Sequence, residues 1–184
     1  MKVLAISGSL REASYNTALA RAATELVPAG VEVEVYDDLG LLPPYDEDLD
    51  GEDAPAVVTE LRERIVDADA LLFVTPEYNG SIPGVLKNAV DWASRPPRGR
   101  AALWGKTAAV AGATTGQYGA IWAQQDLRRV LGIAGARVVC PDLPVGRAQD
   151  VCDPTGGPSA LVVERLRMHV TQLLNEAAPI AVAA

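Results

Sequence analysis

The fold is decided by the stretch KVLAISGSLREASYN at residues 2–16. Its first six residues form an apolar run that stops at a Gly-Ser break, and this pattern predicts a buried strand. From Thr17 onward, apolar residues recur at the i, i+3, i+4 and i+7 spacing, which predicts a helix with Ser14 or Asn16 as its N-cap. The strand and the helix therefore enclose a short polar loop.

This loop is rich in hydrogen-bond donors, namely the side chains of Ser7, Ser9, Arg11 and Ser14. Hydroxyls, a guanidinium and the N–H groups of a helix N-terminus all suit phosphate oxygens. The Walker pattern and the dinucleotide fingerprint are both absent, because Gly8 is the one glycine available. Two interpretations follow from the loop alone: a cradle for a terminal phosphate, or an ordinary serine-capped turn with a surface arginine.

Composition narrows the class of protein. A chain of 184 residues suits a single domain, residues 1–184, with one sizeable core. The net charge of -8 argues against a nucleic-acid partner, whose footprint is a basic patch.

Without a membrane-length apolar run or a signal-peptide pattern, we expect a soluble cytoplasmic protein that has no membrane partner. The spacing of Cys140 and Cys152 fits neither a metal site nor a disulfide framework, so we expect unpaired thiols.

Strands and helices alternate along the chain. The predicted strands are 2–7, 31–36, 70–75, 107–111 and 137–140, and the later helices are 56–67, 83–92, 120–131 and 160–175. This alternation predicts an α/β fold with a doubly wound five-stranded parallel sheet, order 2-1-3-4-5, in three α/β/α layers. Apolar and charged residues alternate strictly at 31–36, as in an edge strand with one solvent-exposed face.

Three segments carry weaker signals. Residues 37–55 are acidic and irregular, and they predict either a subunit contact or lid, or a solvated crossover. Residues 142–158 resemble a loop. His169 stands on the last helix, and we expect a surface residue or a partner of the helix C-terminus.

Polar loops follow the predicted strands at residues 8–16, 76–84 and 112–119. In a sheet of this order, ligands bind beyond the carboxyl ends of the strands where the strand order reverses, between strands one and three. The first loop offers phosphate donors, and the other two offer backbone and a tyrosine around a flat polar space. A phosphorylated planar cofactor fits this arrangement best.

Two motifs carry a family resemblance. GSLRxxSYN at residues 8–16 and TPEYNGSIPGxLKNAxDW at residues 75–92 resemble the NADPH-dependent FMN reductase family, and within it the quinone, chromate and azo-dye reductases. The resemblance covers residues 3–137 and implies a flavodoxin-like fold with bound FMN. It also implies NADPH or NADH as co-substrate, with hydride passing to FMN and then to a quinone, flavin, azo dye or metal oxyanion.

The resemblance implies a residue for each part of FMN. The phosphate ligands would be Ser9, Arg11, Ser14 and Asn16. The residues lining the isoalloxazine, partly through main-chain atoms, would be Pro76, Glu77, Tyr78 and Asn79. The residues at the pyrimidine side of the ring would be Thr114, Thr115 and Gly116. No catalytic acid, base or nucleophile and no metal site is expected, because the flavin carries the chemistry.

Family members are usually homodimers, often paired into homotetramers. The interface elements that we expect are the loop 41–50 and Trp92 or Trp104. Lys87, Asn88 and Asp91 are interpreted as helix-surface or structural residues. The basic segment 95–100 is either a solvated loop or, through Arg95 or Arg98, a contact for nicotinamide nucleotide phosphates.

Two other functions suit the same fold. A flavodoxin-like electron carrier would hold FMN and pass single electrons without using NAD(P)H, although flavodoxin phosphate loops resemble an uncharged Thr/Ser pattern and this loop carries Arg11. A flavin-binding redox sensor would hold FMN with negligible turnover. Bleaching of the bound flavin by NAD(P)H separates the reductase from both.

Overall fold

The computed structural model describes residues 1–51, 54–95 and 101–178. The strands of its main sheet are β1 (Lys2–Ser7), β2 (Glu32–Tyr36), β3 (Ala70–Thr75), β4 (Thr107–Ala113), β5 (Arg137–Val138) and β6 (Leu143–Val145). A small hairpin consists of β7 (Cys152–Asp153) and β8 (Gly157–Pro158). The α-helices among the described residues are α1 (Tyr15–Ala23), α2 (Ala56–Asp67), α3 (Gly84–Ala93), α4 (Ile121–Ile133), α5 (Ala148–Val151) and α6 (Ala160–Ala177).

The predicted topology is confirmed. The main sheet has the order β2-β1-β3-β4-β5 and every pairing within it is parallel. Alternate residues of β1 face opposite layers: Leu4 and Ile6 pack toward α2, α3 and α4, whereas Val3 and Ala5 pack toward α1 and α6. Both faces of the central strands are therefore buried, which explains their continuous apolar sequences.

The fifth strand differs from the prediction of a single strand at residues 137–140. β5 ends at Val138, and β6 then pairs with the other end of β4. Between them Cys140 has a positive φ of 65° and is followed by Pro141, so the backbone leaves the ladder and rejoins it. The strand is interrupted because a left-handed residue and a proline cannot continue a regular ladder.

The expectation of a loop at residues 142–158 is wrong in part. This segment contains β6, α5 and the hairpin of β7 and β8. Its elements are two to four residues long, and so short a span shows neither a helical nor a strand period. Pairing with β4 and packing on α1, rather than local sequence, therefore define these elements.

The acidic segment after β2 is anchored to α3. It contains two single 3-10 turns, Leu39–Leu41 and Glu47–Leu49. The Asn88 side chain accepts from the backbone N–H of Tyr45 at 2.7 Å and donates to the carbonyl of Pro43 at 2.8 Å. Asn88 is thus structural, as interpreted from the sequence.

Trp92 is not an interface residue, contrary to the expectation. Its side chain is 0% exposed, and its indole N–H donates to the Pro43 carbonyl at 2.8 Å. Trp104, the alternative candidate, is 52% exposed. The sequence pattern of α3 places Trp92 on the apolar face of the helix, and the segment after β2 covers it.

His169 is likewise buried rather than on the surface. It is 5% exposed, on the face of α6 that also buries Val162, Leu166 and Leu173. Burial, more than the nearby Arg128 charge, lowers the pKa of His169 to about 4, so the imidazole is neutral near pH 7. Its helical spacing from those three apolar residues is a sequence signal that the surface interpretation overlooked.

The two cysteines are free thiols, as expected from their spacing, and the structure buries both. Burial raises the pKa of the Cys140 thiol to about 11, which keeps it protonated and unreactive near neutral pH. None of the helices described is long and apolar enough to cross a membrane.

Candidate functional site

Three loops meet at one edge of the sheet because β1, β3 and β4 are neighbouring parallel strands. Ser7 pairs with Val74, and Thr75 pairs with Gly112, so the loops leave the sheet side by side. The backbone N–H of Gly8 donates to the Val74 carbonyl at 2.8 Å. A Cβ at Gly8 would lie 2.9 Å from Cδ2 of Leu86, so a larger residue there would require the Leu86 side chain to move.

The loop after β1 is held by few and long hydrogen bonds. The backbone N–H of Ser9 reaches the Ser7 hydroxyl at 3.4 Å, and that of Arg11 reaches the Ser9 hydroxyl at 3.4 Å. Ser14 is the N-cap of α1, where its hydroxyl accepts from the Thr17 N–H at 3.2 Å. Of the two N-cap candidates, Ser14 is therefore the residue that caps the helix.

Asn16 fastens the start of α1 to the end of β4. Its side-chain amide donates to the Ala113 carbonyl at 3.0 Å and accepts from the Ala113 N–H at 2.9 Å, although the residues are 97 positions apart. Asn16 is buried, so these bonds satisfy main-chain groups that water does not reach. The side chain expected to bind phosphate thus joins the first loop to the third.

Arg11 is exposed and forms no ion pair with a described residue. Arg11 and Ser9 line a cavity of about 650 Å³ together with Arg21, Asp37 and Asp38. The guanidiniums of Arg11 and Arg21 and the Ser9 hydroxyl are donors of the kind that phosphate oxygens accept, and the carboxylates of Glu12, Asp37 and Asp38 line the same cavity.

The loop after β3 is built around a tight turn. Tyr78 and Ser81 exchange backbone hydrogen bonds of 2.9 and 3.1 Å. Asn79 and Gly80 between them have positive φ values of 53° and 73°, which is the pattern of a type I′ turn. Pro76 is buried at the base of the loop, whereas the Tyr78 side chain is exposed.

Glu77 connects this loop to α4. Its Oε2 accepts from the backbone N–H groups of Trp122 at 3.0 Å and Ala123 at 3.2 Å, so the carboxylate caps the helix N-terminus. The Ser81 hydroxyl donates to Asp126 Oδ2 at 2.6 Å, and this bond holds the pKa of Asp126 below its ordinary value. Sequence reasoning missed Asp126 because no local pattern signals a partner 45 positions away.

The third loop is supported by the segment that follows Cys140. Thr114 donates its N–H to Val145 at 3.1 Å and accepts from Ala148 at 3.0 Å. The Gly116 carbonyl accepts from Arg147 at 2.9 Å. Thr115 and Gly116 are exposed at the mouth of the site. The sequence predicted this loop but gave no signal for the residues that brace it.

Arg95 lies at the other end of α3 from this edge of the sheet. It follows the helix C-cap Ser94, and its guanidinium stands 5.4 Å from the centre of the Tyr45 ring. A ten-residue helix is about 15 Å long, so within one chain Arg95 is remote from the three loops. Arg98 falls outside the described residues.

The three loops at this edge offer different chemical groups. At the β1 loop, Arg11 and the Ser9 hydroxyl are the groups that could donate to a phosphate. The loops after β3 and β4 leave neighbouring parallel strands, and both loops expose residues there, among them Tyr78 and Thr115. Two of the predicted site residues also connect their loops to other elements: Asn16 hydrogen-bonds to Ala113, and Glu77 hydrogen-bonds to the N-terminus of α4.

Comparisons with known proteins agree with this arrangement. The model of the NADPH-dependent FMN reductase family matches residues 1–150. A NAD(P)H-dependent FMN reductase of Pseudomonas aeruginosa is 46% identical over 176 residues, which cover 95% of this chain and 92% of that protein. A quinone reductase of Escherichia coli is 38% identical over 159 residues, which cover 85% of this chain and 84% of that protein.

A solved structure is also similar. It is that of FerB, a flavoenzyme NAD(P)H:(acceptor) oxidoreductase from Paracoccus denitrificans, with a TM-score of 0.80 and 34% sequence identity. The match covers 95% of this chain and 97% of that chain.

Proposed function

This chain belongs to the NADPH-dependent FMN reductase family, and from that premise we propose that it is an FMN-dependent NAD(P)H oxidoreductase. Hydride passes from NADPH or NADH to the bound FMN and then to a quinone, a flavin, an azo dye or a metal oxyanion. The whole chain, residues 1–184, is one FMN-binding domain. The observation that carries the proposal is the meeting of three polar loops at the carboxyl edge of β1, β3 and β4.

The loop after β1 would hold the FMN phosphate. Arg11 supplies a full positive charge without a described acidic partner, and Ser9 adds a hydroxyl beside it. Ser14 keeps α1 in place with its N-terminus toward the loop, so the helix dipole also favours an anion there. Asn16 holds the base of the loop against β4.

The other two loops would hold the isoalloxazine. The residues Pro76 to Asn79 present main-chain atoms on one side, in a conformation that the type I′ turn and the Glu77 cap keep rigid. Thr114, Thr115 and Gly116 offer backbone and hydroxyl groups to the pyrimidine side. FMN, when bound, supplies the electron-accepting ring, while these residues bind and orient it and exclude water from its buried side.

We propose a homodimer or homotetramer as the working unit. A groove of about 340 Å³ between α3 and α4 is lined by Trp104 and Ile133, which is 76% exposed, and by the charged Asp91 and Arg129. Exposed apolar residues rimmed by charges are typical of a protein interface. Light scattering on the purified protein and on an Ile133→Asp variant tests this: a monomeric wild type contradicts it.

Because NAD(P)H is made and used inside the cell, we also place the protein in the cytoplasm.

The function is tested by the visible spectrum of the purified protein. A yellow protein whose flavin bleaches on anaerobic addition of NADPH or NADH, and regains its colour on addition of a quinone, is a reductase. A flavin that both nucleotides leave oxidised would indicate an electron carrier or a redox sensor instead. A colourless protein that FMN does not reconstitute would contradict the assignment of the site.

A further inference from the structure

Two large, exposed aromatic side chains lie next to the three loops and have no role in the proposed FMN contacts. Tyr118 and Trp122 are 56% and 48% exposed, and their ring centres lie 5.0 Å apart with the planes inclined at 60°. Tyr118 follows Gly116 of the third loop by two residues, and Trp122 lies in the first turn of α4. Exposed aromatic pairs of this kind on a soluble domain usually mark a binding surface.

The backbone around Tyr118 and Trp122 is fixed by a tight turn and by a hydrogen bond to the loop after β3. Gly119 and Ala120, between the two aromatics, have positive φ values of 61° and 60°, which turn the chain abruptly from the loop into α4. At Gly119 a Cβ would lie 2.6 Å from the backbone nitrogen of Val145, so the turn requires glycine. The N–H of Trp122 is fixed by the Glu77 carboxylate, one residue from Tyr78.

We propose that Tyr118 and Trp122 form the surface on which a planar electron acceptor lies when it approaches the flavin. The proposal rests on the proposed function, since it assumes that the loops beside the pair hold FMN. Both rings belong to segments that contact or form those loops, so an acceptor stacked on them is also next to the expected ring position. The pair defines a preference within the range of acceptors: flat aromatic molecules such as quinones over compact oxyanions.

The preference for flat acceptors arises from stacking on the aromatic rings of Tyr118 and Trp122. A quinone offers a flat conjugated surface that stacks on indole or phenol. A metal oxyanion or ferricyanide has no such surface and gains nothing from the rings. Reduction of a quinone to the hydroquinone takes two electrons and two protons, which one NAD(P)H and one solvent proton supply, so the aromatic residues need no acid–base role.

The test compares Trp122→Ala with Trp122→Phe, which keeps an aromatic face, and with Leu161→Ala, which removes an exposed apolar side chain on α6 as a control. Menadione binding to the oxidised, FMN-loaded proteins is measured by calorimetry without any reductant. We expect Trp122→Ala to weaken binding roughly tenfold and Trp122→Phe to retain most of it. In turnover with NADPH, KM for menadione should rise in Trp122→Ala, whereas ferricyanide kinetics should not change.

Four results would overturn the inference. They are unchanged menadione affinity in Trp122→Ala, an equal loss with ferricyanide, loss of FMN from the variant, and a changed mass in solution. The third would make Trp122 a cofactor contact, and the fourth would make it an interface residue. Failure of the proposed function looks different, because wild-type flavin would then resist NADPH while the calorimetry still reports on the aromatic pair.

Discussion

The loops after β1 and β3 leave the same edge of the sheet, yet they are held in opposite ways. The first has backbone-to-hydroxyl contacts at 3.4 Å and an exposed arginine without an ion pair among the described residues. The second has a type I′ turn, a carboxylate that caps α4 and a Ser81–Asp126 bond of 2.6 Å. Such a difference is expected if the first loop is completed by a ligand, whereas the second is a surface that the protein has already built.

Asn16 fastens the base of the first loop to the end of β4, and replacing it should have the largest effect. Asn16→Ala leaves the N–H and carbonyl of Ala113 without their buried partner, so we expect the free energy of unfolding to fall by about 3 kcal/mol. Urea unfolding measures the change. Asn175→Ala, at an exposed position of α6, is the control and should be nearly neutral. A stable Asn16→Ala variant would mean that the first loop has no rigid base.

Arg11→Ala tests whether the first loop depends on a ligand. Loss of a charge-assisted contact to a phosphate should weaken FMN binding roughly 10- to 100-fold, while the stability of the FMN-free protein should not change. Fluorescence quenching of added FMN gives the affinity. Arg167→Ala, which removes an exposed arginine on α6, is the matched control. Unchanged affinity in Arg11→Ala would remove the phosphate assignment.

Glu77→Ala tests the opposite property in the second loop. The N-terminus of α4 loses its cap, and we expect a loss of about 1 kcal/mol in the free energy of unfolding even without FMN. Glu77→Gln keeps an acceptor oxygen and should lose less. The comparison between the loops fails if Glu77→Ala changes only FMN affinity and leaves thermal unfolding of the FMN-free protein as it was.

The smallest expected effect is that the stability contributed by the Ser81–Asp126 hydrogen bond depends on pH. Its hydrogen bond lowers the pKa of Asp126 in the folded protein below the ordinary 3.8, so the folded form loses its charge at lower pH than the unfolded form. The stabilisation is therefore complete above that ordinary value and is lost as the pH falls through the folded pKa.

Hydrogen exchange of the Tyr78 and Ser81 amides at about pH 5 and about pH 3 should show the second loop loosening at the lower pH. Because the Asp126 carboxylate is partly exposed, we expect a modest change. Asp126→Asn should remove the difference between the two pH values, and a variant that keeps it would assign the loosening to another group.

Much of the fold could be predicted because its signals are local. Helix α2 and strands β1 and β3 begin and end where apolar period and flanking Gly, Pro and Asp residues predict. The errors lie where the period is too short to read, as in residues 142–158, or where neighbours decide burial. Trp92 and His169 lie on apolar helix faces, and the helical spacing that indicates their burial was overlooked.

The order of the strands and the edge at which the loops meet could be predicted from the sequence, and the structure confirms both. Strand alternation, glycine breaks and donor-rich loops are properties of neighbouring residues, and a parallel sheet places all carboxyl ends at one edge. Three contacts become visible in the tertiary structure alone. Asn16 hydrogen-bonds to Ala113, Glu77 caps α4, and the rings of Tyr118 and Trp122 pack against each other. Such contacts depend on the distances between folded elements, which no local pattern encodes.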